Sequence, residues 1–253
     1  MGFVNNERPG LSGVHPAAAS APRPDDPEAE SNGDEPEHPL VDTKQERAMV
    51  HVHVGDNACA GVALGPRIVA TSRRCLRQAQ GVHSLEKKEV RVELASSSLT
   101  WTQRAGSHVL VPGCERRDLD VALVVLAEPA PWIEALGIAS APGPGATVEA
   151  IGFDKCDGAN GVKRAHVVDR FGGEIVLDRG LCRGDAGGPV VETAGGTLVG
   201  IQSRRKGSRD ATRKETTVTR FDTTPVRDLI EQARTVGDGA DVSLMKPVVC
   251  ASH

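Results

Sequence analysis

The chain has 253 residues and a formal net charge of −4, so its overall charge gives no reason to expect nucleic acid as a partner. This length accommodates one large all-β domain or two smaller domains. Aromatic residues make up only 2% of the chain, so Val, Ile, Leu and Ala must supply most of the core. No apolar run reaches the roughly 18 residues of a spanning helix, which predicts no membrane segment.

The N-terminal stretch contains neither the basic region nor the apolar region of a signal peptide, which predicts a cytoplasmic chain as written. The six cysteines instead suit an oxidising compartment and an exported ancestry. Because these two indications conflict, the sequence leaves the localisation open.

Residues 1 to 45 are rich in Pro, Ala, Asp and Glu and contain few apolar residues, a composition that cannot bury a core. We predict a disordered acidic leader here. A solvated linker without a specific role is the plainest interpretation. A pro-segment and an interaction tail for a basic partner are the alternatives.

Short apolar runs with β-type alternation begin at Ala48 and predict the strands of a sandwich or barrel. His51 and His53 share one face of the first strand, where two imidazoles are a conceivable metal pair. Because no acid or further histidine is near them, we interpret them as polar-face residues and predict no metal and no cofactor.

Residues 181 to 190 form the most distinctive stretch of the chain, Leu-Cys-Arg-Gly-Asp-Ala-Gly-Gly-Pro-Val. Its glycines permit positive φ or close backbone approach, and Pro189 sets φ where the next strand begins. Successive N–H groups in such a bend can converge on one point and form an anion-binding concavity. The stretch therefore predicts a tight loop of preset shape.

This stretch resembles the nucleophile loop of the trypsin-like (chymotrypsin-fold) serine proteases, Gly-Asp-Ser-Gly-Gly-Pro behind a cysteine, with Ala186 at the serine position. Residues 68 to 75 resemble the family's Val-Leu-Thr-Ala-Ala-His-Cys, with Arg74 at the histidine position. Residues 118 to 126 resemble its Asp-Ile-Ala-Leu signature, with Asp120 as the matching triad acid. The three motifs occur in the family's order, which favours the resemblance over chance.

The resemblance implies an all-β fold of two six-stranded antiparallel β-barrels with a short C-terminal helix. The domain is expected at residues 46 to 235, with the connection between the barrels near 127 to 146 and a tail at 236 to 253. Thr224 is expected as the N-cap of the helix, and Pro225 at its first helical position. The apolar face of this helix is predicted to contain Val226, Leu229, Ile230 and Ala233.

The family's other functional features also correspond to residues of this chain. The resemblance places the oxyanion hole at the N–H groups of Gly184 and Ala186, and the specificity pocket at Gly180, Ser203 and Arg205. It also implies disulfide candidates at Cys59 and Cys75, the pair that flanks the histidine position, and at Cys156 and Cys182.

Activation of the family depends on a new N-terminus, Ile-Val-Gly-Gly, and nothing before Ala48 matches it. Asp185, the usual partner of that N-terminus, therefore lacks an obvious mate. We expect Arg183 or a backbone N–H group to satisfy it instead.

The exchanged positions predict that hydrolysis is lost. The methyl group of Ala186 has no lone pair to attack a carbonyl, and the guanidinium of Arg74 stays protonated and accepts no proton. We expect Asp120 to form a bidentate ion pair with Arg74. The chain is therefore predicted to be an inactive protease homologue that acts as a binding, regulatory or scaffolding module for protein partners.

Two rival functions remain open. One is an active hydrolase with another nucleophile or base, such as Ser72 or Ser203, and the other is a purely structural domain. The basic run from Arg204 to Lys214 predicts a docking surface for a protein or peptide partner, an acidic one among the candidates. No aromatic residues are interleaved in this run, which argues against nucleic acid, and the oligomeric state is not predicted.

Overall fold

The structure is a computed structural model that describes residues 43–76, 82–84, 89–96, 100–113, 118–153, 161–180, 182, 184–206, 214–246 and 248. Only the backbone is described at residues 82–84, 205 and 206. Most of the predicted acidic leader, residues 1 to 42, lies outside the described residues.

The first described element is helix α1, at Lys44–Ala48, and a capping box begins it. Thr43 Oγ1 accepts a hydrogen bond from Glu46 N at 3.2 Å, and Glu46 Oε2 accepts one from Thr43 N at 2.9 Å. The leader predicted for residues 1 to 45 therefore extends too far, because Lys44 and Gln45 already belong to this capped helix.

The first barrel consists of six antiparallel strands in the closed order β1-β2-β3-β7-β6-β5, and β4 pairs with β6 outside this ring. Pairing of β6 with β7 and of β5 with β1 closes the ring. The strands are β1 Met49–Val54, β2 Asn57–Gly65, β3 Ile68–Thr71, β4 Val82–Ser84, β5 Val90–Ala95, β6 Trp101–Leu110 and β7 Ala122–Leu126.

The second barrel is closed in the order β10-β13-β12-β11-β8-β9. Gly172, at φ 49°, turns the β9–β10 hairpin. The prediction of two six-stranded antiparallel barrels is confirmed. The strands are β8 Thr147–Ile151, β9 Val162–Phe171, β10 Glu174–Leu177, β11 Pro189–Glu192, β12 Leu198–Lys206 and β13 Glu215–Arg220.

Each barrel has its own apolar core, and a third apolar cluster joins residues of both barrels to the C-terminal helix α2, at Thr224–Gly237. The predicted apolar face is buried and packs on β3, β6 and β7. The N-cap is Thr223 and not Thr224, because the extended backbone ends one residue earlier than predicted, at φ −79° and ψ 144°.

The residues after α2 return to the first barrel. A short 3-10 helix follows at Val242–Leu244, and Val248 is 5% exposed within the shared apolar cluster. Gly113 N donates a hydrogen bond to the Val248 carbonyl at 3.2 Å. The described part of the predicted tail is therefore part of the packed domain, so a domain end at residue 235 is too early.

None of the helices in the described ranges combines the length and the apolar character needed to cross a membrane.

Candidate functional site

The loop that contains Ala186 is held between the two barrels by backbone contacts. Gly184 and Gly187 adopt φ of 93° and 89°, values that favour glycine. The Gly184 carbonyl accepts a hydrogen bond from Ala60 N at 2.8 Å, and Gly187 N donates to the Gln202 carbonyl at 2.7 Å. A β-carbon on Gly187 would lie 2.4 Å from Thr71 Oγ1, so only glycine fits. The loop shape is therefore fixed by its sequence and by both barrels.

Asp120 is the centre of a hydrogen-bond cluster beside this loop. Its Oδ2 accepts hydrogen bonds from Ser72 Oγ at 2.8 Å, Ser203 Oγ at 2.7 Å and Arg74 Nε at 2.9 Å. Its Oδ1 accepts one from Arg74 N at 3.2 Å. The expected ion pair with Arg74 forms, but it uses Nε and the backbone N–H instead of two guanidinium nitrogens. The bidentate expectation is wrong in this respect.

The disulfide next to Arg74 in the sequence contacts the loop that contains Ala186. Cys59 and Cys75 form the bridge implied by the family resemblance, with an S–S distance of 2.07 Å. Cys75 Sγ lies 3.9 Å from the Ala186 carbonyl oxygen. The structure therefore brings Arg74, Asp120 and Ala186 together where the first barrel meets the loop of the second. Their roles as former triad positions stay a prediction.

The rival nucleophiles are poorly placed for hydrolysis. Ser72 and Ser203 are 0% exposed, and both hydroxyls donate to the same Asp120 oxygen. A substrate carbonyl has no access to either hydroxyl without rearrangement of this cluster. The structure therefore gives Ser72 and Ser203 a role in holding Asp120.

The two backbone groups predicted as an oxyanion hole are available. Among the described residues, none accepts a hydrogen bond from Gly184 N or Ala186 N, and both residues are partly exposed. Two partly exposed N–H groups in a rigid bend, without an acceptor among the described residues, can bind an anion.

The predicted specificity pocket is obstructed at Gly180. A β-carbon added to Gly180 would lie 2.9 Å from Lys214 Cβ and 3.3 Å from Lys214 Cδ, so the Lys214 stem covers this position. Ser203 is engaged by Asp120 behind the cleft. The side chain of Arg205 lies outside the described residues.

Arg204 does not extend the basic rim that the sequence predicts. Its Nη1 lies 2.7 Å from Glu174 Oε1, and its Nη2 donates to Glu174 Oε2 at 2.9 Å. Glu174 is 1% exposed, and burial raises its pKa above the usual value despite the opposing charge of Arg204. Arg204, the first residue of the predicted docking surface, is therefore engaged by a buried acid; residues 207 to 213 lie outside the described part of the chain, and the surface stays a prediction.

Asp185 has a partner that the sequence motifs did not reveal. Lys163 Nζ lies 3.2 Å from Asp185 Oδ2, and the two side chains are 6% and 2% exposed. The ammonium also contacts Sγ of Cys182, which is disulfide-bonded, while Cys156 lies outside the described residues. An internal lysine thus meets the acid for which Arg183 or a backbone N–H group was expected. Arg183 itself is not described.

A signal for Lys163 was present in the sequence. Along β9, Lys163 alternates with Ala165 and Val167, and all three are buried on the inner face. A lysine at an inward position of a barrel strand needs a buried acid as a partner. Asp185 was the acid that lacked a mate.

Two histidines on β1 also have an unpredicted acidic neighbour. Glu93 Oε2 lies 3.4 Å from His51 Nδ1 and 3.1 Å from His53 Nε2. Glu93 is directly opposite His51 in the β1–β5 pairing. The expectation that no acid lies near these histidines is wrong, because the register of the two strands brings together residues that are far apart in sequence.

The two antiparallel barrels and the closing helix define a chymotrypsin-fold protein. The Trypsin family model matches residues 38–226, and the chain belongs to this family. No curated protein matches the sequence at a significant level.

Solved structures of similar fold include two inactivated protease paralogues of the scabies mite. S-D1 has a TM-score of 0.58 and 16% identity, over 78% of this chain and 94% of that chain. S-I1 has a TM-score of 0.58 and 18% identity, over 76% of this chain and 98% of that one. A Glu endopeptidase in complex with MPD is also similar, with a TM-score of 0.57 and 15% identity over 75% and 91%. These identities show a shared fold.

Proposed function

We propose that this chain is a catalytically inactive member of the trypsin family that acts by binding a protein partner. The observation that carries this proposal is the Arg74–Asp120 ion pair, together with an alanine at position 186 of the neighbouring loop. The acid is kept in a fixed position, and the groups that would move a proton and attack a carbonyl are exchanged.

The chemistry of the exchanged side chains supports inactivity. A serine nucleophile needs an adjacent base, and a guanidinium is always protonated and has no acceptor site. When the triad of a serine protease is removed, backbone donors and substrate binding alone retain a rate of only about 10³ to 10⁴ over water. A comparable remnant in this chain would be far below a useful peptidase rate.

The solved structures of similar fold also support the proposed inactivity. Two of the similar structures are described as inactivated protease paralogues, which shows that proteins of this fold exist in inactivated form. The filled position at Gly180 is also consistent with a cleft that no longer selects a peptide side chain for cleavage.

The open donors of the cleft favour a carboxylate-bearing partner. Arg74 uses Nε for Asp120, its side chain is 46% exposed, and no described residue accepts a hydrogen bond from its Nη atoms. Within the described part of the chain, nothing accepts a hydrogen bond from the N–H groups of Gly184 and Ala186 either. Guanidinium and backbone N–H groups are strong partners for carboxylates. We infer that an acidic segment of a protein binds here.

A fluorophosphonate probe tests the loss of catalysis. We expect no labelling of the wild-type chain or of Ala186→Ser, because neither has a base beside the serine position. The double variant Arg74→His, Ala186→Ser should be labelled, because Asp120 is placed to orient a histidine there. Labelling of the native wild type that disappears on heat denaturation would overturn the proposed inactivity.

Fluorescence anisotropy tests the acidic partner. A labelled peptide of about ten residues, rich in Glu, should bind more tightly than its Gln counterpart, with an affinity that falls as salt rises. Arg74→Ala should weaken binding of the Glu peptide at least about 5-fold, a loss of about 1 kcal/mol. Arg227→Ala, an exposed change on α2, should leave it unchanged. Equal binding of both peptides would contradict an acidic partner.

A further inference from the structure

The cluster of His51, His53 and Glu93 lies outside the triad positions and has no part in the proposed function. His51 and His53 are two residues apart on β1, so both side chains leave the same face of the strand. Glu93 lies on the neighbouring strand β5, paired with His51 in register. Three side chains with metal-binding atoms therefore meet on one face through strand pairing alone.

The three donor atoms are close enough to share one ion. His51 Nδ1, His53 Nε2 and a carboxylate oxygen of Glu93 all lie within 4.8 Å of one another. Zinc binds nitrogen at about 2.0 to 2.1 Å and carboxylate oxygen at about 2.0 to 2.2 Å, so ligands of a tetrahedral ion are about 3.3 to 3.5 Å apart. The two nitrogen–oxygen separations, 3.4 and 3.1 Å, are close to that spacing.

The His53 ring nitrogen that faces this cluster contacts Glu93 without a well-directed hydrogen bond. His53 Nε2 is buried, and although it lies 3.1 Å from Glu93 Oε2, it makes no hydrogen bond of acceptable geometry. A buried nitrogen without a well-formed hydrogen bond is costly unless another partner satisfies it. A metal ion between the imidazole and the carboxylate is such a partner.

The orientation of His51 is set by its surroundings. The His51 ring stacks on Trp101, with ring centroids 5.1 Å apart and an interplanar angle of 9°, and Phe153 contacts it as well. Side chains locked by packing lose less freedom when they bind a ligand. The first histidine of the cluster is therefore preorganised.

We propose that His51, His53 and Glu93 form a binding site for Zn²⁺, with two imidazole nitrogens, one carboxylate oxygen and an open fourth position. Imidazole nitrogen suits zinc and its neighbours in the first transition row, whereas Ca²⁺ and Mg²⁺ require mostly oxygen ligands. All three side chains are about 26 to 31% exposed, which leaves the fourth position open to water or to a ligand from outside. Arg91 lies opposite His53 on β5, and its positive charge limits the affinity of the site.

Isothermal titration of the full chain with Zn²⁺ is the first test. We expect a site of one ion per chain that Glu93→Gln and His53→Gln weaken at least about 10-fold each. His166→Gln is the matched control, because His166 pairs with Asp178 at 3.0 Å on the second barrel without a second histidine in the pair. Unchanged Zn²⁺ affinity in Glu93→Gln and His53→Gln, with native circular dichroism, would overturn the proposal.

Fluorescence locates the ion independently of affinity. The chain has two tryptophans, and Trp101 stacks on His51. Co²⁺, which occupies zinc sites and quenches nearby indole emission, should quench the wild type and lose most of this effect in Trp101→Phe. The same Trp101→Phe chain should still bind Zn²⁺. Quenching of the wild type that Glu93→Gln leaves unchanged would place the ion elsewhere and overturn the assignment.

A variant that removes a positive charge near the site should strengthen Zn²⁺ binding. Arg91→Gln removes the cation next to His53, and we expect it to raise Zn²⁺ affinity about 2-fold to 10-fold. Zn²⁺ should also raise the Tm of the wild type and of Arg91→Gln but not of Glu93→Gln. An equal Tm increase in all three would contradict a site built on Glu93.

Discussion

Two ion pairs flank the loop at Ala186, and they differ in how far water reaches them. Arg74 pairs with Asp120 at 2.9 Å, and its side chain is 46% exposed. Lys163 pairs with Asp185 at 3.2 Å, and both side chains are almost fully buried. The Arg74 pair lies at the predicted position of the family's catalytic base, whereas the Lys163 pair includes Asp185 of the loop itself.

The difference shows which parts of the cleft the fold depends on. Asp120 has three other hydrogen bonds besides the one from Arg74 Nε, so it keeps its place without that guanidinium. Asp185 sits against Gly152, where an added β-carbon would lie 2.2 Å from its Oδ1, and it faces a buried ammonium. We therefore expect the fold to depend on the buried Lys163–Asp185 pair more than on the exposed Arg74–Asp120 pair.

The largest effect should come from breaking the buried pair. Lys163→Met removes the ammonium that faces the Asp185 carboxylate in a nearly dry site, and we expect a loss of about 3 to 5 kcal/mol in the free energy of unfolding. Urea denaturation measures it. The double variant Lys163→Met, Asp185→Asn should recover part of the loss, because no charge remains buried.

Arg164→Met is the control for this experiment. Arg164 follows Lys163 on β9 but is 75% exposed, and its contact with Glu149 is 3.5 Å long. We expect a change below about 0.5 kcal/mol. A similar loss in Arg164→Met and Lys163→Met would show that burial does not distinguish the two positions.

A middle-sized effect is expected from Asp120→Ala. The substitution leaves two buried hydroxyls, those of Ser72 and Ser203, without their acceptor. Each lost partner costs about 1 to 3 kcal/mol, and partial rearrangement of the hydroxyls limits the sum to about 2 to 4 kcal/mol. An unchanged melting temperature would contradict the view that Asp120 now supports the structure.

A small effect is expected from Arg74→Ala. An ion pair with one partner so exposed contributes about 0 to 1 kcal/mol, because water screens the charges. Urea denaturation of Arg74→Ala beside Lys163→Met therefore tests the comparison directly. Equal losses in the two variants would mean that exposure does not separate the pairs.

The sequence predicted the features that residues close together along the chain determine. The three motifs placed Ala186, Arg74 and Asp120, and these positions come together in the structure. The partners that were missed depend on strand pairing. Glu93 reaches His51 only through the β1–β5 register, and Lys163 reaches Asp185 only when the loop folds back under β8 and β9. Lys163 left a trace in the sequence as a charge at an inward position, whereas Glu93, on the outer face of β5, left none.

The direction of Arg204 was missed for a different reason. The register of β12 against β13 shifts between Gln202 and Arg204, which is a bulge. Because a bulge inserts one residue into one strand, simple alternation no longer tells which way the next side chain points. Arg204 consequently meets buried Glu174 and not the cleft rim.

The smallest effects should come from Glu174 and Asp222, two other carboxylates that pair with arginines. They show separately how burial and ion pairing shift a carboxylate pKa. Burial raises the pKa of Glu174 above its usual range, although Arg204 opposes the change. Burial would also raise the pKa of Asp222, but hydrogen bonds from Arg220 and the Ala141 N–H outweigh it and lower this pKa. The two carboxylates should therefore respond to pH with opposite signs.

Urea denaturation of the wild type, Glu174→Gln and Asp222→Asn between about pH 3 and 7 measures these signs. The stabilisation from Asp222 is present above the pKa of this carboxyl in the unfolded chain, about 3.9. It is lost as pH falls through the lower pKa of the folded state. The contribution of Glu174 to stability is largest below the pKa of this carboxyl in the unfolded chain, about 4.3. It declines as pH rises through the higher pKa of the folded state. Asp222→Asn should therefore approach the wild type at low pH, and Glu174→Gln should gain on it as pH rises. Arg220→Met should abolish the pH dependence that comes from Asp222, since Arg220 donates two hydrogen bonds to this carboxylate. Trends of the same sign in Asp222→Asn and Glu174→Gln would show that pairing does not outweigh burial at Asp222.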